Sequence, residues 1–197
     1  MFINFKSYYK NRLPDDCILL EIGANKGQWQ SEIIKEYSSS KIFAFEPIPN
    51  ITPALNNVTV VNKAIDLIDG EIRDFYVTKD NVTSSLLKLN LDTLEKFVDF
   101  KDSKGVEHKV ADFSIDDTIK VETIRLDTFI AQNKLDQIHF VKIDTEGNDY
   151  NVLLSMEKEL DKIWGFEVET FINKDWLFHG SKCTQDFIDF ATERNFI

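Results

Sequence analysis

Residues 19–29 read LLEIGANKGQW, and they are the strongest indication of the fold in this sequence. A short apolar run carries a carboxylate at Glu21, a Gly-x-x-x-Gly turn runs from Gly23 to Gly27, and a helical pattern follows. This order predicts a β-strand, a tight loop and an α-helix, as in the first βα turn of a nucleotide-binding sheet. Glycine suits such a loop because a side chain would block the close approach of backbone to ligand, and because the turn can need a positive φ.

The glycine loop does not fit the fingerprint of dinucleotide-binding proteins. That fingerprint, Gly-x-Gly-x-x-Gly, would also place glycine where the chain has Asn25 and Gln28. A Glu two residues before the first glycine, with a four-residue glycine spacing, is similar instead to motif I of Rossmann-like S-adenosylmethionine (SAM) methyltransferases. A nicotinamide-dependent oxidoreductase is therefore the less favoured alternative.

Composition bounds the class of protein and its partners. The 197 residues suffice for one domain with a buried core. Thirty-four acidic against 23 basic residues give a formal charge of −11, which disfavours nucleic acid as a partner because binding to phosphates gains affinity from positive charge. Cys17 and Cys183 lie far apart and fit neither a disulfide framework nor a zinc site, and we expect no metal. No apolar run is long enough for membrane insertion or a signal peptide, so a soluble cytoplasmic protein is expected.

Acids occur at or near the carboxyl ends of four predicted core strands. The strands are 17–22, 41–45, 138–143 and 163–168, and the acids are Glu21, Glu46, Asp144 with Glu146, and Glu167 with Glu169. In an open α/β sheet these ends line one crevice, where ligands bind at the topological switch point. A rim of acids suits a cationic, hydroxyl-rich ligand such as SAM. The alternative, which we prefer for Asp127, is that an acid only stabilises the N-terminus of its own helix.

Residues 79–117 form a polar, charge-rich insert in the middle of the chain. Before it, an apolar run over 58–65 and a turn at Asp69–Gly70 predict a β-hairpin into 71–78. We expect the insert to be variable, to contain a short helix over 91–100 and to supply substrate-facing or lid-like structure, because long loops often carry function. An ordered surface excursion without ligand contact is the alternative.

Both ends of the chain carry recognisable patterns. Residues 1–13 show a loose helical stripe, and a helix is predicted over 184–194. The last three residues look like the opening of another strand, so we expect a truncated C-terminus that lacks the last strands of the domain. The strand at 163–168 would then be an exposed apolar edge, which favours a homo-oligomer.

Six blocks of the sequence together resemble one protein family. The blocks are EIGANKGQW (21–29), FAFEPIP (43–49), NKAI (62–65), TSSLL (83–87), IRLDTF (124–129) and FVKIDTEGNDYNVL (140–153). In their order they are similar to the FkbM family of SAM-dependent methyltransferases. The resemblance implies an α/β fold, a mostly parallel sheet of the Rossmann-like class I methyltransferase type with an inserted β-hairpin and loop region, in a single domain over 1–197.

The resemblance also implies positions for the cofactor and the reaction. The residues that would line the methionine end of SAM are Glu21, Gly23, Asn25 and Gly27, while Glu46 would hold the ribose and Ala64 would lie beside the adenine. Asp144 and Glu146 match the family's Asp-x-Glu-Gly, where the methyl group would be delivered. Glu167 matches the acid of the fifth strand.

We therefore expect methyl transfer to a hydroxyl oxygen of a small molecule or glycan. Asp144 would hold the cofactor's amine or orient the acceptor, Glu146 would take the acceptor proton, and Glu167 would be the reserve base. His179 is a less favoured base, and His139 is expected to be structural. Asp144 and Glu146 could share a divalent ion, as in some O-methyltransferases. A non-catalytic SAM-binding module remains an alternative.

Overall fold

A computed structural model describes residues 12–94, 100–101, 107–108 and 113–196. Most of the predicted stripe at 1–13 therefore lies outside the described residues. The strands, in chain order, are β1 (Ile18–Ile22), β2 (Lys41–Phe45), β3 (Val58–Val61), β4 (Ala64–Ile65), β5 (Ile72–Thr78), β6 (Phe100–Lys101), β7 (Glu107–His108), β8 (Ile115–Ile124), β9 (Phe140–Ile143) and β10 (Phe166–Val168). The helices are α1 (Gln28–Glu36), α2 (Leu91–Leu94), α3 (Leu126–Gln132), α4 (Asp149–Ser155) and α5 (Thr184–Glu193), with a 3-10 helix at Glu157–Lys162.

The central sheet has five parallel strands in the order β10-β9-β1-β2-β3. From β1 the chain builds outward through β2 and β3, and it later returns to the other side of β1 with β9 and β10. The strand order therefore reverses between β1 and β9, which is the switch point where open α/β sheets bind ligands. This mostly parallel α/β sheet with flanking helices confirms the predicted fold class.

Helices cover both faces of the central sheet, as an all-parallel sheet requires. On one face α1 packs Ile33 against Leu19, Ile42 and Phe140. On the other face α3, α4 and α5 pack against a larger cluster that includes Leu20. Each such fully buried side chain contributes roughly 1.5–3 kcal/mol relative to its exposed state. The apolar runs of the sequence are therefore what fixes the sheet between its helices.

A second sheet of three strands, β4-β8-β5, departs from the predicted hairpin. β5 pairs antiparallel with β8, and β8 also pairs with β4, so the turn at Asp69–Gly70 does not join neighbouring strands. The turn docks on the end of β8 instead: Gly70 N–H donates to the Thr123 carbonyl over 2.8 Å, and an Asp69 carboxylate oxygen accepts from Arg125 N–H over 2.7 Å.

Apolar side chains of the described part of the insert pack against the rest of the domain. Leu89, Leu94 and Phe113 are buried in one cluster with Phe178 from the loop after β10. Of the predicted helix over 91–100, α2 covers Leu91–Leu94, residues 95–99 lie outside the described residues, and Phe100–Lys101 is a strand. Within the described residues, no helix combines the length and apolarity needed to cross a membrane.

Candidate active site

A cavity of about 420 Å³ opens at the switch point. Its walls come from the glycine loop, the ends of β2 and β9, β4, and the segment after β5. Of the predicted site residues, the cavity is lined by Glu21, Gly23, Asn25, Glu46, Ala64, Asp144 and Glu146. In the described part of the chain, Gly27 and Glu167 do not line it. The volume falls in the range of small-molecule and cofactor pockets.

Gly23 brings the loops after β1 and β9 into contact. Its φ is +86°, and a Cβ atom there would lie 1.8 Å from the Asp144 carbonyl oxygen. Gly27 also has a positive φ of +74° at the start of α1, where a Cβ would lie 2.9 Å from Pro53 Cδ. Glycine is thus needed at Gly23 for close approach of two backbones, and at Gly27 for the turn into the helix.

Glu46 is buried at the end of β2 with a fixed carboxylate. Oε2 accepts from Asn25 N–H and Oε1 accepts from Ile48 N–H, each over 2.8 Å. Burial raises the pKa of Glu46, and these two N–H donors oppose the rise. Because each carboxylate oxygen has more than one lone pair, the carboxylate can still accept from a ligand hydroxyl.

Asn25 links the two sides of the cavity. Its φ of 44° is a left-handed conformation that asparagine tolerates. Its Nδ2 donates to the Asn81 carbonyl over 2.8 Å, and both residues line the cavity. The segment after β5, which the sequence predicts to be substrate-facing, therefore contacts the glycine loop directly.

Glu21 carries a partnerless oxygen in the cavity wall. The residue is 1% exposed, and Oε2 has no hydrogen-bond partner among the described residues. Burial raises the pKa of Glu21 to about 8; the charge of Lys142 opposes that rise, and the charges of Asp144 and Glu46 add to it. A buried acceptor without a donor is unfavourable, so this oxygen is suited to a donor from a ligand.

Lys142 is a site residue that sequence reasoning missed. Cross-strand register places it between Glu21 of β1 and Glu167 of β10, and its Nζ donates to Asp144 Oδ2 over 2.8 Å. Burial alone would lower the pKa of Lys142, but the charges of Asp144 and of both neighbouring strands outweigh it and raise that pKa. The sequence did contain a signal for Lys142: it is the one Lys or Arg of its predicted strand, and the neighbouring strands carry acids.

Three acids converge beside the cavity. Asp144, Glu146 and Glu169 each offer a carboxylate oxygen within 4.8 Å of the others. Burial raises the pKa of Glu146 well above its ordinary value, and the charges of Glu169 and Asp144 add to the rise. The Glu169 residue is exposed overall, but its carboxylate faces the other two acids. Partial desolvation raises the pKa of Glu169 to about 7; the charges of Asp144 and Asp149 add to the rise, and the charge of Lys142 opposes it. These oxygens could hold a divalent cation, for which carboxylates are typical ligands. No metal is expected from the sequence, although it leaves open that Asp144 and Glu146 share a divalent ion, and Glu169 would be a third ligand.

The remaining candidates lie apart from the cavity. His139 Nδ1 accepts from Ile18 N–H over 3.0 Å and its ring contacts Trp164 edge-on, which gives it a structural role. His179 is exposed and is not among the described residues that line the cavity. Asp127 lies within α3 rather than at its cap, and it pairs with Arg125.

One comparison with known proteins gives a match. A family model described as the methyltransferase FkbM domain matches residues 21–197, which is most of the chain. Neither the curated proteins nor the solved structures provide a match.

Proposed function

The chain belongs to the FkbM methyltransferase family, and we propose that it transfers a methyl group from SAM to a hydroxyl oxygen of a small molecule or glycan. The observation that carries the proposal is the position of Glu146, a carboxylate of raised pKa at the edge of the switch-point cavity. A carboxylate whose pKa is raised is a stronger base than an ordinary one, which suits it to accept a proton from a hydroxyl.

Three features of the described residues fit SAM. The partnerless oxygen of Glu21 would accept from the ammonium group, and the fixed carboxylate of Glu46 would accept from the ribose hydroxyls. Gly23, whose lack of a side chain lets the loops after β1 and β9 meet, lines the same cavity. When bound, SAM supplies a methyl group on a positively charged sulfur, and an acidic wall favours such a cation.

The protein's own residues would handle the acceptor. The cavity positions the hydroxyl and excludes water, which together can supply several kcal/mol by fixing the reacting atoms. Asp144, held by Lys142, would orient the acceptor or hold the cofactor's amine. Glu146 would accept the hydroxyl proton as the hydroxyl oxygen bonds to the methyl carbon. The carbon–sulfur bond would break in the same step and leave a neutral thioether, so the carboxylate would end the step as a carboxylic acid. Glu167, which lies beside Lys142, stays the reserve base.

Two alternatives remain for experiment to separate. A non-catalytic SAM-binding module would bind SAM but transfer no methyl group to any acceptor. A nicotinamide-dependent oxidoreductase is disfavoured by Asn25 and Gln28, which stand where its fingerprint needs glycine. Calorimetry with SAM and with NAD is expected to detect binding of SAM alone.

Replacing Glu46 by Ala is expected to weaken SAM binding at least about tenfold, because charged hydrogen bonds are each worth roughly 1.5–3 kcal/mol. Calorimetry measures the change. Glu36→Ala, at an exposed acid of α1, is the matched control and should bind SAM normally. Unchanged affinity in Glu46→Ala would remove Glu46 from the site.

We also propose that copies of the chain associate through the outer edge of β10. In the described part of the chain no strand pairs with that edge, and Trp164 just before it is 52% exposed. Sedimentation at micromolar concentrations is expected to show dimers, which Trp164→Lys should weaken by placing a charge at the edge. Ile172→Lys, on an exposed loop, is the control. A purely monomeric unaltered chain would contradict the proposal; in that case the contact of Phe196 with Phe166 would already suffice to protect the edge.

A further inference from the structure

The turn that carries Glu146 has an uncommon backbone conformation. Glu146 has a φ of 55°, followed by Gly147 with a φ of 93°. A left-handed residue other than glycine or asparagine costs of order 1–3 kcal/mol and persists only where its surroundings hold it. The contacts that hold this turn therefore also decide where the Glu146 side chain points.

Asp149 holds the turn from within. Its two carboxylate oxygens accept from Thr145 N–H over 2.8 Å and from Gly147 N–H over 2.9 Å. These bonds connect the turn to its own helix, α4. They do not connect it to the second sheet, which forms part of the opposite wall of the cavity.

Ser85 supplies a contact from outside the turn. Its hydroxyl donates to the Glu146 carbonyl oxygen over 2.7 Å, while its Oγ accepts from Leu87 N–H over 3.0 Å. Ser85 is 1% exposed, and its backbone exchanges two hydrogen bonds with Tyr76 of β5, over 2.8 and 3.1 Å. The Thr145 carbonyl oxygen is a second acceptor at 3.5 Å from Oγ, but a hydroxyl has one proton, and the shorter contact directs that proton at Glu146.

We propose that Ser85 is a positioning residue, whose hydroxyl holds the left-handed turn so that the Glu146 carboxylate faces Asp144 and Glu169. The inference rests on the proposed function only for the role of Glu146 as the proton acceptor. Ser84 and Leu86 line the cavity, but Ser85 is not among the described residues that do so. Its hydroxyl is therefore expected to affect the orientation of Glu146 and not the affinity for SAM.

Ser85→Ala removes the hydroxyl that bonds to the Glu146 carbonyl oxygen, and the turn is expected to relax at Glu146. The Glu146 carboxylate then leaves the acids around it, and the midpoint of its titration falls toward the ordinary range. Burial is the largest cause of the raised Glu146 pKa, and the charges of nearby acids add to it. These acids are Glu169, Asp144, Asp149 and Asp80. The nearby cation, Lys142, pairs with Asp144. Carbon-13 NMR of the full chain labelled at the Cδ of glutamate measures this midpoint without an acceptor, and Glu146→Gln assigns the signal.

Ser155→Ala is the matched control. Ser155 is also a buried serine whose hydroxyl donates to a carbonyl, that of Val152 over 2.7 Å, and it accepts from Leu126 N–H. The control loses an equivalent buried hydrogen bond away from the cavity, so its melting temperature should fall while the Glu146 midpoint stays constant. A serine that mattered only for stability would behave in the same way at position 85.

The outcomes separate the positioning role of Ser85 from the proposed role of Glu146 as the proton acceptor. A lowered midpoint in Ser85→Ala with an unchanged one in Ser155→Ala supports the positioning role. An unchanged midpoint in Ser85→Ala, or an equal fall in both variants, overturns it. With an identified acceptor, Ser85→Ala should also lose about 10–100-fold in turnover at unchanged SAM affinity, because small displacements of reacting groups have effects of this size. Normal turnover in Glu146→Gln would instead defeat the proposed proton acceptor, and the NMR midpoint would still decide on Ser85.

Discussion

Glu146→Gln is expected to lower turnover at least about a hundredfold while leaving SAM affinity unchanged. The variant keeps the size of the side chain but removes the carboxylate that accepts the hydroxyl proton in the proposed reaction. A general base typically contributes about 10²–10⁴-fold, and an amide cannot replace it. Transfer of labelled methyl groups to a verified acceptor measures the turnover, and calorimetry measures the affinity.

The pH profile gives the same variant a second readout. The base acts only when ionised, so turnover rises with pH as Glu146 loses its proton. Because burial and the nearby charges of Glu169 and Asp144 raise the Glu146 pKa, this rise lies above the pH at which an ordinary glutamate ionises. Glu146→Gln should lose the rise and retain only the titrations of other groups.

Loss of folding does not account for the expected result. A carboxylate whose pKa is higher in the folded than in the unfolded state binds its proton more tightly when folded, so its ionisation destabilises the fold as pH rises through this interval. Removing that charge should therefore preserve or raise the melting temperature at pH 8. Glu193→Gln, at an exposed acid of α5, is the control and should leave turnover unchanged. Normal turnover in Glu146→Gln would make Glu169 and then Glu167 the next bases to test.

Local sequence patterns predict those strands, turns and helices that depend on interactions between residues close in sequence. The strand β1, the glycine loop and α1 follow from apolar spacing and from turn chemistry, and β2 has the predicted bounds, 41–45. The acids Glu21, Glu46 and Asp144 come together because the carboxyl ends of parallel strands meet at one edge of the sheet. A periodic pattern and the switch-point rule are sufficient for this much of the cavity.

Long-range pairing is what local patterns do not contain. Nothing in residues 58–78 indicates that β8, more than 30 residues later in the chain, lies between β4 and β5. Likewise the contact of Ser85 with Glu146 joins residues 61 positions apart, and the charge state of Lys142 depends on both neighbouring strands. These features depend on which strands become neighbours, so no local pattern predicts them.

Gly23→Ala is expected to destabilise the fold by about 2–5 kcal/mol and to abolish SAM binding. One contribution is conformational: at a φ of +86° alanine costs about 1–2 kcal/mol. The second is steric, because the new Cβ would lie 1.8 Å from the Asp144 carbonyl oxygen, and overpacking of this kind typically adds about 1–3 kcal/mol. The loops after β1 and β9 must then separate, which moves Asp144 away from Glu21.

Comparing Gly23→Ala with Gly180→Ala isolates the steric cost. Gly180 has nearly the same φ, +87°, but nothing lies within 4 Å of its added Cβ. Gly180→Ala should therefore be destabilised by the conformational cost alone and should bind SAM normally. For a chain of this length each kcal/mol lowers the melting temperature by roughly 2–4 °C. Gly23→Ala should therefore melt roughly 4–20 °C below the unaltered chain, and Gly180→Ala roughly 2–8 °C below it. Equal melting temperatures in the two variants, with SAM binding kept in both, would mean that the two strand ends can separate freely, and that their contact at Gly23 does not shape the site.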